Sequence, residues 1–237
     1  MSTDGRPAGA RVLLPLLLLS ACGQAPAPHA EREFPALERA VAPIVSSRFS
    51  TEDARDSVHE ADMVMNHVGT RAGMSVADIG AGEGYYTLRL AARVGPKGRV
   101  LAQDVVPEVR DRLAERVTRE ALDNVSVKLG EPNDPKLPAD SFDQIFLVHM
   151  YHEIAAPYEF LWRLRPALRP NGRVVVVDAD RNTARHGTPP ALLDCEMRSV
   201  GYVLERREKL PAIDAYLALY RTQGERPEPA AIKPCRS

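Results

Sequence analysis

The chain has 237 residues, 44% hydrophobic residues and a formal net charge of −1. This length and apolar content suffice for one folded domain with a good core. A near-zero charge and an aromatic content of 5% argue against a nucleic-acid-binding protein, which normally presents a basic face or stacking aromatic rings.

The first residues have the pattern of a secretory signal. Arg6 and Arg11 precede an apolar run at residues 12–19, which is too short to span a bilayer, and small residues then lead to Cys22. The segment Leu19-Ser20-Ala21-Cys22 resembles the bacterial lipobox, which implies cleavage before Cys22 and attachment of lipid to its sulfur. We therefore predict a signal peptide at residues 1–21 and a tether at residues 22–49.

The lipobox resemblance implies a lipoprotein of the bacterial cell envelope that faces the periplasm, and Gly23 after the cysteine favours the outer membrane. A plain signal peptide with an incidental cysteine, or a cytoplasmic enzyme with an over-extended start, are the alternatives. With Cys22 used as an anchor, Cys195 and Cys235 are left as a pair in a compartment where disulfides persist. We expect these two to form a disulfide, with two unrelated thiols as the alternative.

The first folded element is predicted to be a helix. Ser50 and Asp53 form a plausible helix start, and apolar residues then recur at helical spacing as far as Val68, just before Gly69. We expect this helix to pack beside the first strand.

The next segment predicts a strand, a tight loop and a helix. An apolar run that contains Asp78 leads directly to Gly80, Gly82 and Gly84, after which a helical pattern begins. Glycines at this spacing let the backbone approach a ligand closely, and the following helix presents its free N–H groups at the same place. The segment is therefore a candidate nucleotide cradle. It differs from the dinucleotide fingerprint G-x-G-x-x-G, because the bulky Tyr85 stands where the third glycine would fall.

An acidic residue follows the cradle at a spacing suited to a ribose contact. A helix ends at Gly95-Pro96, and residues 99–103 form a short apolar strand that closes on Asp104. About twenty residues beyond the glycines, a carboxylate can accept hydrogen bonds from both ribose hydroxyls of a nucleoside. Capping of the next helix, predicted from Pro107 to about Ala121, is the alternative role. Residues 125–129 are predicted to form the third strand.

A cluster of ionisable residues follows the fourth predicted strand, residues 141–148. His149, His152 and Glu153 lie at the carboxyl end of this strand, where ligands bind in open α/β sheets. Their spacing matches neither His-Glu-x-x-His nor its inverse, so we predict no metal. His152 and Glu153 are candidates for a proton acceptor or a substrate-orienting pair, and His149 is a further candidate. Loop histidines with structural hydrogen bonds are the alternative.

The remaining elements continue the alternation of helix and strand. Residues 160–168 predict a helix disturbed at Pro166, and residues 173–178 predict a valine-rich fifth strand. A polar loop at residues 180–190 then brings His186 to the same edge as the histidine cluster. The sequence further predicts a helix at residues 189–200, a strand at 202–210, and either a strand or a short helix at 212–221.

The spacing Asp78-x-Gly80-x-Gly82-x-Gly84 resembles the signature loop of the class I S-adenosylmethionine-dependent methyltransferases. Asp104 and the later Leu-Arg-Pro-x-Gly segment before the valine strand extend the resemblance, which covers about residues 50–222. It implies an α/β fold, namely a Rossmann-like, doubly wound, mostly parallel seven-stranded sheet with helices on both faces. We take residues 50–222 as the domain and residues 223–237 as a C-terminal tail.

The resemblance also implies a cofactor and roles for individual residues. S-adenosylmethionine would place its methionine part over Gly80, Gly82 and Gly84 and its ribose on Asp104, while Asp78 would fix the loop and face the ammonium end. A residue of the proline-rich loop after the third strand, such as Asn133, would face the adenine. The partner would be a small-molecule methyl acceptor, with no nucleic acid, and with membrane contact only through a lipid at Cys22.

Two other functions compete with methyl transfer. An envelope lipoprotein could use the same fold as a binding module without catalysis, and an oxidoreductase could use a similar cradle, although Tyr85 argues against the latter. The envelope prediction also conflicts with a methyl donor that is made in the cytosol. Fold alone does not decide among these functions.

Overall fold

A seven-stranded sheet forms the centre of the protein. The computed structural model describes residues 1–2, 34–44 and 51–236, so the predicted signal segment and Cys22 lie outside the described residues. The strands are β1 (Ser75–Ile79), β2 (Arg99–Asp104), β3 (Val125–Leu129), β4 (Phe142–Val148), β5 (Leu168–Asp178), β6 (Tyr202–Leu210) and β7 (Ala215–Thr222). Their order is β3-β2-β1-β4-β5-β7-β6. β7 runs antiparallel to the other six strands, which are parallel to one another. The predicted fold class is confirmed.

Helices cover both faces of this sheet because its central strands are apolar on both sides. Val174 and Val176 pack in one core cluster with residues of α5 and α6, whereas Val175 and Val177 pack in a second cluster with residues of α2 and α3. The helices are α1 (Glu52–Ser57), α2 (Glu60–His67), α3 (Tyr85–Val94), α4 (Pro107–Arg119), α5 (Pro157–Leu164) and α6 (Pro190–Ser199). Among the described residues, no helix combines the length and apolar character needed to cross a membrane.

Several element boundaries differ from those predicted. The single helix expected from Ser50 to Val68 is two helices, because His59 adopts a left-handed backbone conformation (φ 53°) between α1 and α2. The helix expected at residues 160–168 ends at Leu164, and a short 3₁₀ turn containing Pro166 follows it. The segment predicted as a strand or a short helix near residue 215 is a strand, β7.

The packed unit is larger than the predicted domain at residues 50–222. Within the predicted tether, Ala42 is buried and the ring of Phe34 lies edge-on to Trp162, with 5.7 Å between the ring centroids. At the other end, Ile232 belongs to the main core cluster, and Trp162 Nε1 donates to the carbonyl of Pro227 at 2.8 Å. The apolar side chains of both flanking segments therefore complete the core, and the described residues 34–44 and 51–236 belong to one compact unit.

A disulfide ties the C-terminal segment to α6. Cys195 and Cys235 are joined with an S–S distance of 2.00 Å, and the backbone N–H of Cys235 donates to the Tyr158 hydroxyl at 2.6 Å. The crosslink closes a loop with a sequence separation of 40 residues. It therefore restricts the unfolded chain as well as holding the folded one.

Replacing both cysteines with alanine is expected to lower the free energy of unfolding by up to about 4 kcal/mol, the chain-entropy value for a loop of this length. Urea unfolding of the oxidised protein and the Cys195→Ala/Cys235→Ala variant measures the difference. The wild-type protein treated with a reducing agent is the control, and it should unfold at nearly the same urea concentration as the variant. Equal stability of all three samples would contradict the prediction.

Candidate active site

The carboxyl ends of the central strands meet at one edge of the sheet. Ile79 pairs with Gln103 on β2 and with Leu147 on β4, and Val148 pairs with Val177 on β5. The residues that follow Ile79, Gln103 and Val148 border a cavity of about 1040 Å³. Its walls include Gly80, Gly82, Tyr85, Asp104, His149, Met150 and Glu153, together with residues of the 41–44 segment and of α1.

The glycine loop has the backbone conformation that the sequence predicted for a cradle. Gly80, Gly82 and Gly84 have φ values of 67°, 57° and 93°, a region that favours glycine. A Cβ atom added to Gly80 would lie 3.0 Å from Met150 Cγ, and one added to Gly84 would lie 2.5 Å from Leu113 Cδ1. The loop is therefore closely packed at Gly80 and Gly84, and a side chain at either position would displace its neighbours.

Asp104 is fixed beside this loop at the end of β2. Its Oδ2 accepts the backbone N–H of Gly82 at 3.0 Å, and its Oδ1 accepts the N–H of Val106 at 3.0 Å. The side chain is buried but borders the cavity. Because a carboxylate oxygen can accept more than one hydrogen bond, both oxygens keep capacity for a ligand's hydroxyl groups.

Asp78 lies deeper, beneath the loop, and is not part of the cavity wall. The Thr87 hydroxyl donates to its Oδ2 at 2.6 Å and so links β1 to α3. Burial raises the pKa of Asp78 to about 6, even though the hydrogen bond from Thr87 favours the ionised form. The structure thus places Asp78 where it can hold the loop.

Gln103, near the end of β2, and Asn133, in the loop after β3, differ in their relation to the cavity. Gln103 is fully buried and borders the cavity, and its amide Nε2 and Oε1 have no hydrogen-bond partner among the described residues. The amide lies against Gly130, where an added Cβ would be 1.5 Å from Nε2. Asn133 instead donates to Glu159 at 2.9 Å and lies outside the cavity wall, so the structure does not bring Asn133 to the site.

A network of charges positions His149 on the cavity wall. Its Nε2 lies 3.2 Å from Oε1 of Glu60, which also receives hydrogen bonds from Arg55 at 2.6 Å and from the Tyr86 hydroxyl at 3.1 Å. Burial opposes ionisation of Glu60, but the bonds from His149 and Arg55 outweigh it and hold the pKa of Glu60 at about 2. Glu60 is therefore a fixed negative charge behind His149.

The two neighbouring candidates, His152 and Glu153, face in different directions. Glu153 borders the cavity. His152 is only 2% exposed, is not part of the cavity wall, and has its Nδ1 3.0 Å from Oδ1 of Asp178. The carboxylate of Asp178 accepts a hydrogen bond from Nδ1–H of His152, and in this tautomer Nε2 is the acceptor nitrogen.

His186 approaches this pair from the loop after β5, as the strand count predicted. The rings of His152 and His186 are perpendicular, with 5.3 Å between their centroids. Ligand-type atoms of His152, Glu153 and His186 all lie within 4.8 Å of one another. The prediction that no metal binds depended on the spacing of His149, His152 and Glu153 and on the lack of an obvious further cluster of ligands, whereas the structure places His186 beside His152 and Glu153.

The sheet order and the glycine cradle with its adjacent carboxylate agree with comparison to known proteins. Residues 70–207, more than half of the chain, match the family model described as a methyltransferase domain. The chain belongs to this methyltransferase family.

Individual relatives support the family assignment. Nocamycin O-methyltransferase of Saccharothrix syringae is 36% identical over 118 residues, which cover 48% of this chain and 41% of the relative. The chain therefore spans less than half the length of that relative. A solved S-adenosylmethionine-dependent methyltransferase from Aquifex aeolicus is 25% identical with a TM-score of 0.66, and the match covers 70% of this chain and 92% of that one. S-adenosylmethionine is accordingly the cofactor that fits the cradle of this methyltransferase domain.

The fold itself is shared more widely. The structure titled as the [4+2]-cyclase SpnF matches with a TM-score of 0.62 at 16% identity, over 79% of this chain and 88% of that one. At this identity the likeness concerns the fold alone. The fold therefore does not specify the methyl acceptor, which depends on the residues that line the cavity of this chain.

Sequence reasoning missed several residues of this site. Arg55 and Glu60 lie in a helix that the sequence predicted only to pack beside the first strand, and Asp178 was predicted only as the end of a strand. Their positions depend on contacts between distant segments, such as the pair of Glu60 and His149, which are 89 residues apart. The one local signal was an acidic residue at the carboxyl end of a buried strand, which Asp178 shares with Asp104.

Asp78→Asn is expected to flatten the pH dependence of stability. Because the pKa of Asp78 is about 6 in the folded methyltransferase domain and 3.8 is its ordinary value, the folded state binds the extra proton between these values. The free energy of unfolding should then fall by about 2 kcal/mol as the pH rises from 4 to 6.5, and this contribution should vanish in the variant. Urea unfolding at both pH values measures it. The exposed Asp123→Asn is the matched control, and parallel profiles for all three proteins would contradict the assignment.

Proposed function

We propose that the protein transfers the methyl group of S-adenosylmethionine to a small molecule held beside His149 and Glu153. The observation that carries the proposal is the Asp104 carboxylate. It is oriented by two backbone N–H groups and borders both the glycine loop and a cavity of about 1040 Å³. A preorganised carboxylate of this kind suits the paired hydroxyls of a ribose.

The cofactor end of the cavity fits a nucleoside and an amino-acid chain. The positive φ values of Gly80, Gly82 and Gly84 present main-chain atoms without side chains. When bound, S-adenosylmethionine supplies a methyl group on a positively charged sulfur, which is already a strong electrophile.

At the acceptor end, the residues of this chain mainly position and desolvate the nucleophile. Residues 41–44 and helix α1 contribute walls that separate the cavity from solvent. Orientation of two reactants in such a site can lower a barrier by about 7–11 kcal/mol. Glu153 and His149 face the cavity, so they are the groups that can orient the acceptor or take its proton.

A small acceptor is favoured by the cavity. Its volume is near the upper end of the range for small-ligand sites, about 300–1,000 Å³, and is sufficient for a nucleoside cofactor with a second small ligand. The names of the relatives do not decide the acceptor, because they include nocamycin, arsenite and protein-L-isoaspartate methyltransferases.

Calorimetric titration of the full chain with S-adenosylhomocysteine tests this function. We expect saturable binding that weakens about 100-fold in Asp104→Ala, because two hydrogen bonds to a charged group contribute about 1.5 kcal/mol or more each. The exposed Asp111→Ala on α4 is the matched control and should bind like the wild type. Circular dichroism establishes that each protein is folded.

Absence of binding in folded wild-type protein would refute the methyltransferase function and favour a binding module. Equal affinity in the wild type and Asp104→Ala would refute the role of that carboxylate. Transfer of a labelled methyl group from S-adenosylmethionine into a small-molecule extract, by the wild type but not by Asp104→Ala, would then identify the acceptor.

We also propose that the enzyme is a lipoprotein of the bacterial cell envelope. The proposal is supported by the lipobox-like residues before Cys22 and by the Cys195–Cys235 disulfide, since disulfides persist in oxidising compartments. In this location the methyl donor must reach the periplasmic side of the membrane.

The mass of the protein extracted from membranes tests the anchor. We expect the chain to begin at Cys22 and to carry the added mass of lipid, and we expect Cys22→Ser to be neither cleaved nor lipidated. Detection of an intact Met1 or of an unmodified Cys22 in the wild type would refute the envelope proposal without affecting the cofactor site.

A further inference from the structure

Two imidazoles and a carboxylate converge at the edge of the cavity. The ligand-type atoms of His152, Glu153 and His186 lie within 4.8 Å of one another, although the residues come from two separate loops. Glu153 also borders the cavity, so the cluster is adjacent to the space proposed for the methyl acceptor. This convergence is independent of the glycine loop and of Asp104.

Asp178 orients His152 in the manner of a carboxylate behind a metal-binding histidine. Its Oδ1 and Oδ2 lie 3.0 and 3.1 Å from Nδ1 of His152. Since Nδ1 carries the donated proton, the lone pair of His152 is on Nε2. Metal-binding histidines almost always have such a partner, which fixes the ring and raises the basicity of the other nitrogen.

The same carboxylate also fixes the loop that carries His186. The Thr188 hydroxyl donates to Oδ2 of Asp178 at 2.7 Å, and the backbone N–H of Thr188 donates to the carbonyl of Ala179 at 2.9 Å. At Gly187, an added Cβ would lie 2.6 Å from that carbonyl oxygen, so the chain can pass there only without a side chain. His186 is thereby held next to His152 by contacts on both sides.

The charges around the cluster favour a cation. Asp178 is fully buried and Glu153 is a second carboxylate. Two carboxylates therefore lie beside the two imidazoles.

We propose that His152, Glu153 and His186 bind a divalent transition-metal ion, with Zn²⁺ as the ion that the ligand set fits. Two histidines and a glutamate form a common three-residue zinc site that leaves a further position open. Binding would draw the ligand atoms to about 3.4 Å from one another, the separation set by bonds of about 2.1 Å in tetrahedral geometry. Movement of the Glu153 and His186 side chains supplies this contraction.

The ion would give the acceptor side a specific chemistry, and this step rests on the proposed methyl transfer. An acceptor oxygen or sulfur bound at the open position would lose its proton more readily, because the ion stabilises the anion. Glu153 then acts as a ligand of the ion and not as a base. The acceptor class is accordingly a small molecule with a hydroxyl or thiol that can coordinate zinc.

Calorimetric titration with Zn²⁺ tests the site in the full chain after metal is removed with a chelator. We expect one Zn²⁺ per chain in the wild type and an affinity at least tenfold lower in His186→Ala and in Glu153→Gln. Both side chains are only partly buried, so these variants should fold. The exposed His67→Ala is the matched control for loss of a histidine. Titration with Co²⁺ should give the visible absorption of a low-coordinate ion in the wild type, reduced in both site variants.

S-adenosylhomocysteine binding is measured on the same proteins and separates the two proposals. A chain that binds S-adenosylhomocysteine but no Zn²⁺, or that binds Zn²⁺ equally in the wild type and both site variants, overturns the metal site alone. A chain that binds Zn²⁺ through these residues but does not bind S-adenosylhomocysteine overturns methyl transfer and leaves the metal site standing.

Discussion

The arrangement of the acceptor side depends on one buried guanidinium. Arg39 pairs with Glu196 on α6 at 2.9 Å and also donates to the carbonyls of Tyr151, His152 and Ile154 at 3.2–3.4 Å. Its side chain is 1% exposed and that of Glu196 is fully buried. Removing either charge would leave the other buried and unpaired, which costs about 3–5 kcal/mol of stability. Through these bonds the 34–44 segment holds the loop that carries His152 and Glu153. The disulfide at Cys195, next to Glu196, strengthens the same region.

A second buried charge network positions the other candidate on the acceptor side. Glu60 receives bonds from Arg55, Tyr86 and His149, and the low pKa of Glu60 keeps its charge at any pH at which the protein is expected to work. Helix α1 supplies Arg55 and a wall of the cavity, so the break at His59 between α1 and α2 has a clear consequence. The break allows Arg55 and Glu60, which lie on either side of the turn, to form an ion pair at 2.6 Å.

The cofactor end was predictable from the sequence because its parts are local. A buried strand, three glycines and a helix follow one another within residues 75–94, and Asp104 ends the next strand. The acceptor end was predicted only as a set of residue types. Whether His152 faces the cavity or Asp178 depends on a bond between residues 26 apart, and the burial of Arg39 depends on a partner 157 residues away. Sequence periodicity carries no information about such contacts. The predicted tether at residues 22–49 therefore includes a segment, residues 34–44, whose apolar side chains complete the core.

This difference decides what the family assignment can explain. The glycine loop belongs to the cofactor end, and the family match over residues 70–207 does not include the 34–44 segment or the α1–α2 turn. The acceptor end is assembled from the 34–44 segment, the α1–α2 turn and the loops after β4 and β5. Each of these is held in place by buried charges. Buried charge pairs seldom improve stability over apolar packing, so their concentration around one side of a cavity is better explained by what that side must bind. The residues that distinguish the acceptor side of this protein are therefore Glu153, His152 and His186. The Asp178 carboxylate fixes the two histidines in place.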